Sequence, residues 1–160
     1  MSIGTERQAG WRRGAGAGAG ALAAIVALGL PSGAGLAMSQ DLPVMVSANL
    51  YGEDVPGGGT GEEASGDFIG EIDLDGGQVC YYLEIAGLDG VTAAHIHEGQ
   101  AGRTGPPVVT LTVEGADMDE VCLDVDSALL GRIARRPERF YVNVHSARHP
   151  DGAIRGQLTD

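Results

Sequence analysis

The chain has 160 residues, the size of one domain, and its 27 glycines and 7 prolines favour short elements joined by turns over long helices. It contains no lysine, and its 10 basic residues, all arginine, face 22 acidic ones, which gives a formal net charge of -12. This balance argues against nucleic acid or an anionic membrane as the partner and favours cationic or metallic partners. The composition therefore predicts one acidic, turn-rich domain.

The N-terminus is typical of a signal peptide. Three arginines precede an uncharged stretch of apolar residues and glycine whose strongly hydrophobic centre is 22–30. That centre is shorter than the ~20 residues of a membrane-spanning helix. Gly35 and Ala37 are small residues where a signal peptidase reads its site. We therefore predict that residues 1–37 are a signal peptide, that the protein is secreted or periplasmic, and that the domain 38–160 has no membrane span.

From Leu42 onward, apolar and polar residues alternate, which is typical of strands with one face in a core. A glycine-rich acidic loop, 52–66, is predicted to be mobile and solvated. One short connecting helix is predicted between its N-cap residue Asp126 and Pro137. The pattern predicts an all-β fold, an antiparallel Greek-key sandwich or barrel. About seven strands are predicted, at residues 42–50, 68–74, 79–85, 92–98, 108–114, 140–146 and 152–159.

The two cysteines, Cys80 and Cys122, are too few for a disulfide scaffold or a zinc ribbon, but they form one bridge in an oxidising compartment. Cys80 has the opposite parity to the apolar residues of its strand, so its side chain is predicted to point away from the core. The bridge is therefore predicted to tie the connection 114–126 across the outside of that sheet. Because the closed loop is long, the chain-entropy contribution is about 4 kcal/mol.

Three of the four histidines are predicted to project from the polar faces of strands. His95 and His97 are two residues apart, so they share one face of their strand, and His145 lies opposite the apolar residues of a second strand. The same parity places Asn143 and Arg155 on polar faces. If these strands are neighbours, the three histidines and Arg155 form one cluster.

Two interpretations of His95, His97 and His145 remain open. In the first, they bind copper or zinc, since neutral imidazole is a ligand for both and three such ligands leave an open coordination position. In the second, they form a hydrogen-bonded polar cluster that joins two sheet segments. Arg155 and Asn143 are candidates for binding a ligand, with a structural salt bridge to Glu98 or another nearby acid as the alternative for Arg155. No catalytic residue is predicted, because the serines lie outside any Gly-x-Ser-x-Gly motif.

Four segments of the second half of the chain form a distinctive set: AHIHEG (94–99), TGPPVV (104–109), YVNVH (141–145) and GAIRGQL (152–158). Together they resemble the CHRD domain, first described in chordin. The resemblance covers essentially all of residues 38–160 and implies an extracytoplasmic β-domain. The growth-factor antagonism of chordin is not carried over, because the cysteine-rich modules that accompany the domain there are missing from this sequence. The leading interpretation is a non-enzymatic binding or structural module whose partner is an extracytoplasmic protein or a metal ion.

A weaker resemblance is to copper/zinc superoxide dismutase, a Greek-key β-barrel in which a His-x-His strand and a distant strand histidine bind copper. His95, His97 and His145 match that arrangement in type and order, and Arg155 matches the arginine that steers an anion there. The chain departs from the dismutases because no histidine lies between His97 and His145, so the bridging imidazolate and the zinc ligands are missing. The resemblance implies, as the alternative function, a copper- or zinc-binding metalloprotein with a dismutase-like site.

Overall fold

One antiparallel sheet of eight strands and one short helix form the part of the chain that the computed structural model describes, residues 42–113 and 119–160. The predicted signal peptide lies outside these residues. The all-β class and the single connecting helix are confirmed. The elements are β1 (Val44–Tyr51), β2 (Ser65–Asp73), β3 (Gln78–Ala86), β4 (Val91–Glu98), β5 (Pro107–Leu111), β6 (Val121–Asp124), α1 (Ser127–Arg135), β7 (Phe140–Ser146) and β8 (Ile154–Gln157).

The sheet curls into a half-barrel with the strand order β5-β4-β7-β8-β1-β2-β3-β6. The connections from β3 to β4 and from β6 to β7 link strands that lie far apart in this order, so the sheet is not a simple meander. The sequence predicts about seven strands, and the eighth is β6, which pairs with β3 in register Val79↔Leu123. With only four residues and half-buried apolar side chains, β6 gives too little alternation to be detected.

The concave face of the sheet holds the core. Phe68 and Tyr81 lie there with ring centroids 5.5 Å apart, and α1 adds Leu130 and Ile133. Asp126 caps α1 as predicted, because its Oδ1 accepts a hydrogen bond from the Leu129 N–H at 3.0 Å. Each large apolar side chain buried in this way contributes about 1.5–3 kcal/mol.

The segment 52–66 is not wholly solvated, contrary to the prediction. Val55 and Ala64 are buried, and the Thr60 N–H donates to the Ala153 carbonyl at 3.0 Å. A Cβ on Gly59 would lie 2.0 Å from the same carbonyl oxygen, so only glycine allows this approach. The segment therefore packs against the chain that leads into β8.

The Cys80–Cys122 disulfide is present, and its two cysteines have a sequence separation of 42. The two cysteines are direct partners across β3 and β6, and their Cα atoms are 4.0 Å apart. The bridge thus joins the neighbouring strands β3 and β6, whereas the sequence predicts that Cys122 lies in the irregular connection 114–126. Among the helices of the described ranges, none is long and apolar enough to cross a membrane.

Candidate metal centre

Three adjacent strands, β4, β7 and β8, carry the predicted polar residues on one face of the sheet. The register pairs His95 with Asn143 across β4 and β7, and Asn143 with Arg155 across β7 and β8. His97 lies two residues beyond His95, and His145 two residues beyond Asn143, on the same faces of their strands. The register therefore brings together all five predicted site residues.

The three histidines converge on one point. His95, His97 and His145 each offer a ligand nitrogen, and these nitrogens lie within 4.8 Å of one another. The ring centroids are 5.6 Å apart for His95 and His97 and 5.1 Å apart for His95 and His145. Within 42–113 and 119–160, no other group of three histidines, cysteines or carboxylates comes this close.

Backbone carbonyls fix which nitrogen is available on two of the rings. His97 Nδ1 is 2.8 Å from the Gly105 carbonyl oxygen, and His145 Nδ1 is 2.9 Å from the Pro150 carbonyl oxygen. Because a carbonyl oxygen only accepts, both Nδ1 atoms carry the proton and donate it. The lone pair of each neutral ring is therefore on Nε2, and the hydrogen bonds orient the rings as such contacts do for metal ligands.

Two nitrogens of the cluster are buried without a partner. His95 Nδ1 and His97 Nε2 have no hydrogen bond to any described residue, and His145 Nε2 contacts only Asn143 Nδ2, at 3.4 Å. A buried polar atom left unpaired costs about 1–3 kcal/mol. Because His97 Nδ1 donates to Gly105, its orphaned Nε2 carries the lone pair that a cation between the rings would satisfy.

The face that carries these residues is covered, although parity alone predicts an outward polar surface. His97 is 8% exposed, Asn143 5% and Arg155 3%. The chain between β4 and β5 crosses the face and is held there by the Gly105 N–H, which donates to Tyr141 Oη at 3.0 Å. A Cβ on Gly105 would lie 1.7 Å from the Glu98 carbonyl oxygen, so this loop depends on a glycine for its path.

Burial also favours the neutral form of His95 and His97. Burial lowers the pKa of His95, and the neighbouring His145 and His97 lower it further. Burial likewise lowers the pKa of His97, although the hydrogen bond to Gly105 works against the shift. Neutral imidazole is the form that binds metal, so these pKa shifts favour a metal site at neutral pH.

Arg155 lies beside the histidines but makes no ion pair with Glu98. Glu98 instead pairs with Arg132, at 2.8 Å, so the predicted Arg155–Glu98 bridge is wrong. The Arg155 guanidinium donates to the Gln100 carbonyl at 3.0 Å and stacks on Tyr141, with 3.4 Å from Cζ to the ring centroid. It lines a cavity of about 170 Å³ that His97 and Asn143 also line.

Two residues that contribute contacts to the site are not among those predicted from the sequence. Tyr141 stacks on His97, with 4.9 Å between the ring centroids. Its position on the polar face of β7 is the only feature of the sequence that indicates this contact. Gln157 Nε2, with two N–H donors, lies 2.7–2.9 Å from the carbonyl oxygens of Gly99, Glu138 and Phe140 and so ties these segments together. His149 lies in the turn before Gly152 and outside the cluster.

These features define a half-barrel β-domain with a covered polar face and a cluster of three histidines. Residues 46–158 match the family model of the CHRD domain, and the chain belongs to this family. No curated protein and no solved structure matches the chain, so no structural relative supports the resemblance to copper/zinc superoxide dismutase.

Proposed function

We propose that this CHRD-domain protein is an exported binding protein whose ligand is one Cu(II) or Zn(II) ion, held by His95, His97 and His145. One observation carries the proposal: the three histidines each offer a nitrogen within 4.8 Å of the others, and two ring nitrogens of these residues, His95 Nδ1 and His97 Nε2, are buried with no partner in the described part of the chain. In a cluster whose members hydrogen-bond to one another, these atoms would be paired.

The geometry of the cluster suits a three-histidine site with an open position. Three imidazoles and one exchangeable ligand are a common environment for zinc, and imidazole also binds Cu(II). Nitrogens that share a tetrahedral zinc ion are about 3.4 Å apart. Since the cluster nitrogens are no more than 4.8 Å apart, small rotations of the rings close the site around an ion.

Export is supported by the disulfide and by the sequence of the N-terminus. A disulfide such as Cys80–Cys122 persists in oxidising compartments and is rare in the cytosol. Residues 1–37 have the arginines, the apolar centre and the small residues of a signal peptide. Catalysis is not part of the proposal, since a second metal site of the dismutase type lacks its histidines in this sequence.

The decisive experiment measures metal content and affinity. The oxidised protein is titrated with Cu(II) and with Zn(II) against a competing chelator, beside a His95→Ala/His97→Ala/His145→Ala variant and a His149→Ala control. We expect one tight equivalent in the wild type and in the control, and none in the triple variant. Electron paramagnetic resonance of the copper form should show coupling to nitrogen ligands.

Two results would reject the metal site: no tight equivalent in the wild type, or an equivalent retained by the triple variant. In the first case the histidines are structural, because the contacts of His97 and His145 with backbone carbonyls join separate segments of the chain. Their replacement would then lower the free energy of unfolding by about 1–3 kcal/mol without any change in ligand binding.

A further inference from the structure

Four arginines surround one cavity on a protein that is strongly acidic as a whole. The chain has 22 acidic and 10 basic residues, yet basic side chains dominate this cavity of about 160 Å³. They come from the last turn of α1 and from the short 3-10 turn that follows it. We name this the arginine pocket, and it is lined by Glu98, Arg132, Arg135, Arg136, Arg139 and Phe140.

Acidic neighbours neutralise only part of this charge. Arg132 Nη1 lies 2.8 and 2.9 Å from the two carboxylate oxygens of Glu98, and an Arg136 nitrogen is 3.8 Å from Glu138. In the described ranges, no carboxylate lies within 4.0 Å of the Arg135 or Arg139 guanidinium. Among the described residues, the charges of Arg135 and Arg139 therefore have no counter-ion.

The pocket also positions its guanidinium groups. Gly131 stands inside α1, where glycine is disfavoured relative to alanine, and a Cβ there would lie 3.0 Å from Arg135 Nη1. The missing side chain lets the Arg135 guanidinium fold back over the helix. The Arg132 guanidinium lies over the Phe140 ring, 5.7 Å from its centroid.

The dipole of α1 explains only some of these cations. Positive side chains in the last turn of a helix are favourable, which applies to Arg132 and Arg135. Arg136 and Arg139 lie beyond that turn, and the effect falls off within it. A local excess of arginine in an acidic protein therefore requires another explanation.

We propose that the arginine pocket binds a tetrahedral oxyanion, the phosphate group of a monoester or the equivalent sulfate group. Guanidinium groups present pairs of N–H donors that match such oxygens, and several of them around one anion are typical of phosphate recognition. The phosphate is carried by a soluble molecule or by a lipid headgroup.

This site is distinct from the candidate metal centre. Glu98 follows His97 on β4, so the two side chains project from opposite faces of the strand. The arginine pocket and the cavity beside the histidines share no lining residue. Anion binding and metal binding can therefore succeed or fail separately.

The test titrates the full chain with inorganic phosphate and with glycerol 2-phosphate by calorimetry at low ionic strength. Sedimentation with phosphatidylcholine vesicles, with and without phosphatidic acid, separates a headgroup from a soluble ligand. The Arg135→Gln/Arg139→Gln variant should bind at least tenfold more weakly in whichever arm shows binding. The matched control is Arg103→Gln/Arg148→Gln, which removes the same charge from exposed positions outside the pocket.

A third variant leaves every charge in place. Gly131→Ala favours the helix but pushes the Arg135 guanidinium aside, so we expect binding to weaken severalfold while the thermal midpoint stays level or rises. If binding is lost only in the pocket variants, either to the soluble ligands or to the vesicles, the proposed site is supported. Equal loss in the exposed-arginine control, or no binding in any arm, overturns it.

Discussion

The Arg155 guanidinium lies 3.4 Å from the centroid of the Tyr141 ring, and the same ring stacks on His97 at 4.9 Å between centroids. Tyr141 thus connects a buried cation to one of the three candidate metal ligands. Arg155 is 3% exposed, and its one hydrogen bond within the described chain goes to the Gln100 carbonyl. The stack, and not an ion pair, therefore holds the arginine in place.

Replacing Arg155 by lysine should destabilise the fold although the charge is kept. An ammonium group has no plane to stack on Tyr141, and its more strongly hydrated charge is costlier to bury. We expect the free energy of unfolding to fall by about 1–3 kcal/mol, measured by urea denaturation. Arg103→Lys, at an exposed position, should change it by less than about 0.5 kcal/mol. Equal stability of the two variants would show that the stack contributes little.

Alternation in the sequence was sufficient to predict most of the fold and the membership of the site. His95, His97 and His145 were placed correctly because the side-chain period of two in a strand holds whatever covers the sheet. The cover itself was not predictable, since it depends on backbone carbonyls such as that of Gly105, and every residue has one. The arginine pocket was also missed, because whole-chain charge conceals a local excess of the opposite sign.

Gly105→Ala should disturb the metal centre although Gly105 is not one of its candidate ligands. A Cβ there would lie 1.7 Å from the Glu98 carbonyl oxygen, so the loop must move, and the hydrogen bond from His97 Nδ1 to Gly105 must lengthen or break. Loss of such an orienting contact lowers metal affinity about 10–100-fold. The measurement is the chelator competition described above.

The control for this loop variant is Thr104→Ala, which changes an exposed neighbour and leaves the glycine. Its metal affinity should match that of the wild type. If Gly105→Ala binds metal as tightly as Thr104→Ala, the Gly105 carbonyl does not orient His97.

The metal-free protein should lose stability on acidification because of the same histidines. Burial lowers the pKa of His95 and His97 in the folded state below the unfolded value of 6.5, and the neighbouring His145 lowers both further. The unfolded chain therefore binds more protons below pH 6.5, so the free energy of unfolding falls as the pH drops through that value. Above it, the two histidines add no pH dependence.

Urea denaturation of the metal-free protein at about pH 8 and about pH 5 tests this linkage. In a His95→Gln/His97→Gln variant, the difference between the two pH values should be smaller than in the wild type. His149→Gln, outside the cluster, should retain the full difference. An undiminished difference in the double variant would assign the acid sensitivity to other groups.

Removal of the disulfide should have a large effect because it anchors an edge strand. Only β3 pairs with β6 in the described sheet, and Cys80–Cys122 is the covalent link between them, closing a loop with a sequence separation of 42. For a loop of this length the chain-entropy argument gives about 4 kcal/mol, and measured values usually fall between about 2 and 4 kcal/mol. We expect a Cys80→Ala/Cys122→Ala variant to lose that much free energy of unfolding in urea. Reduction of the wild type should reproduce the loss and leave the variant unaffected, whereas a loss below about 1 kcal/mol would mean that β6 stays docked on β3 without the bridge.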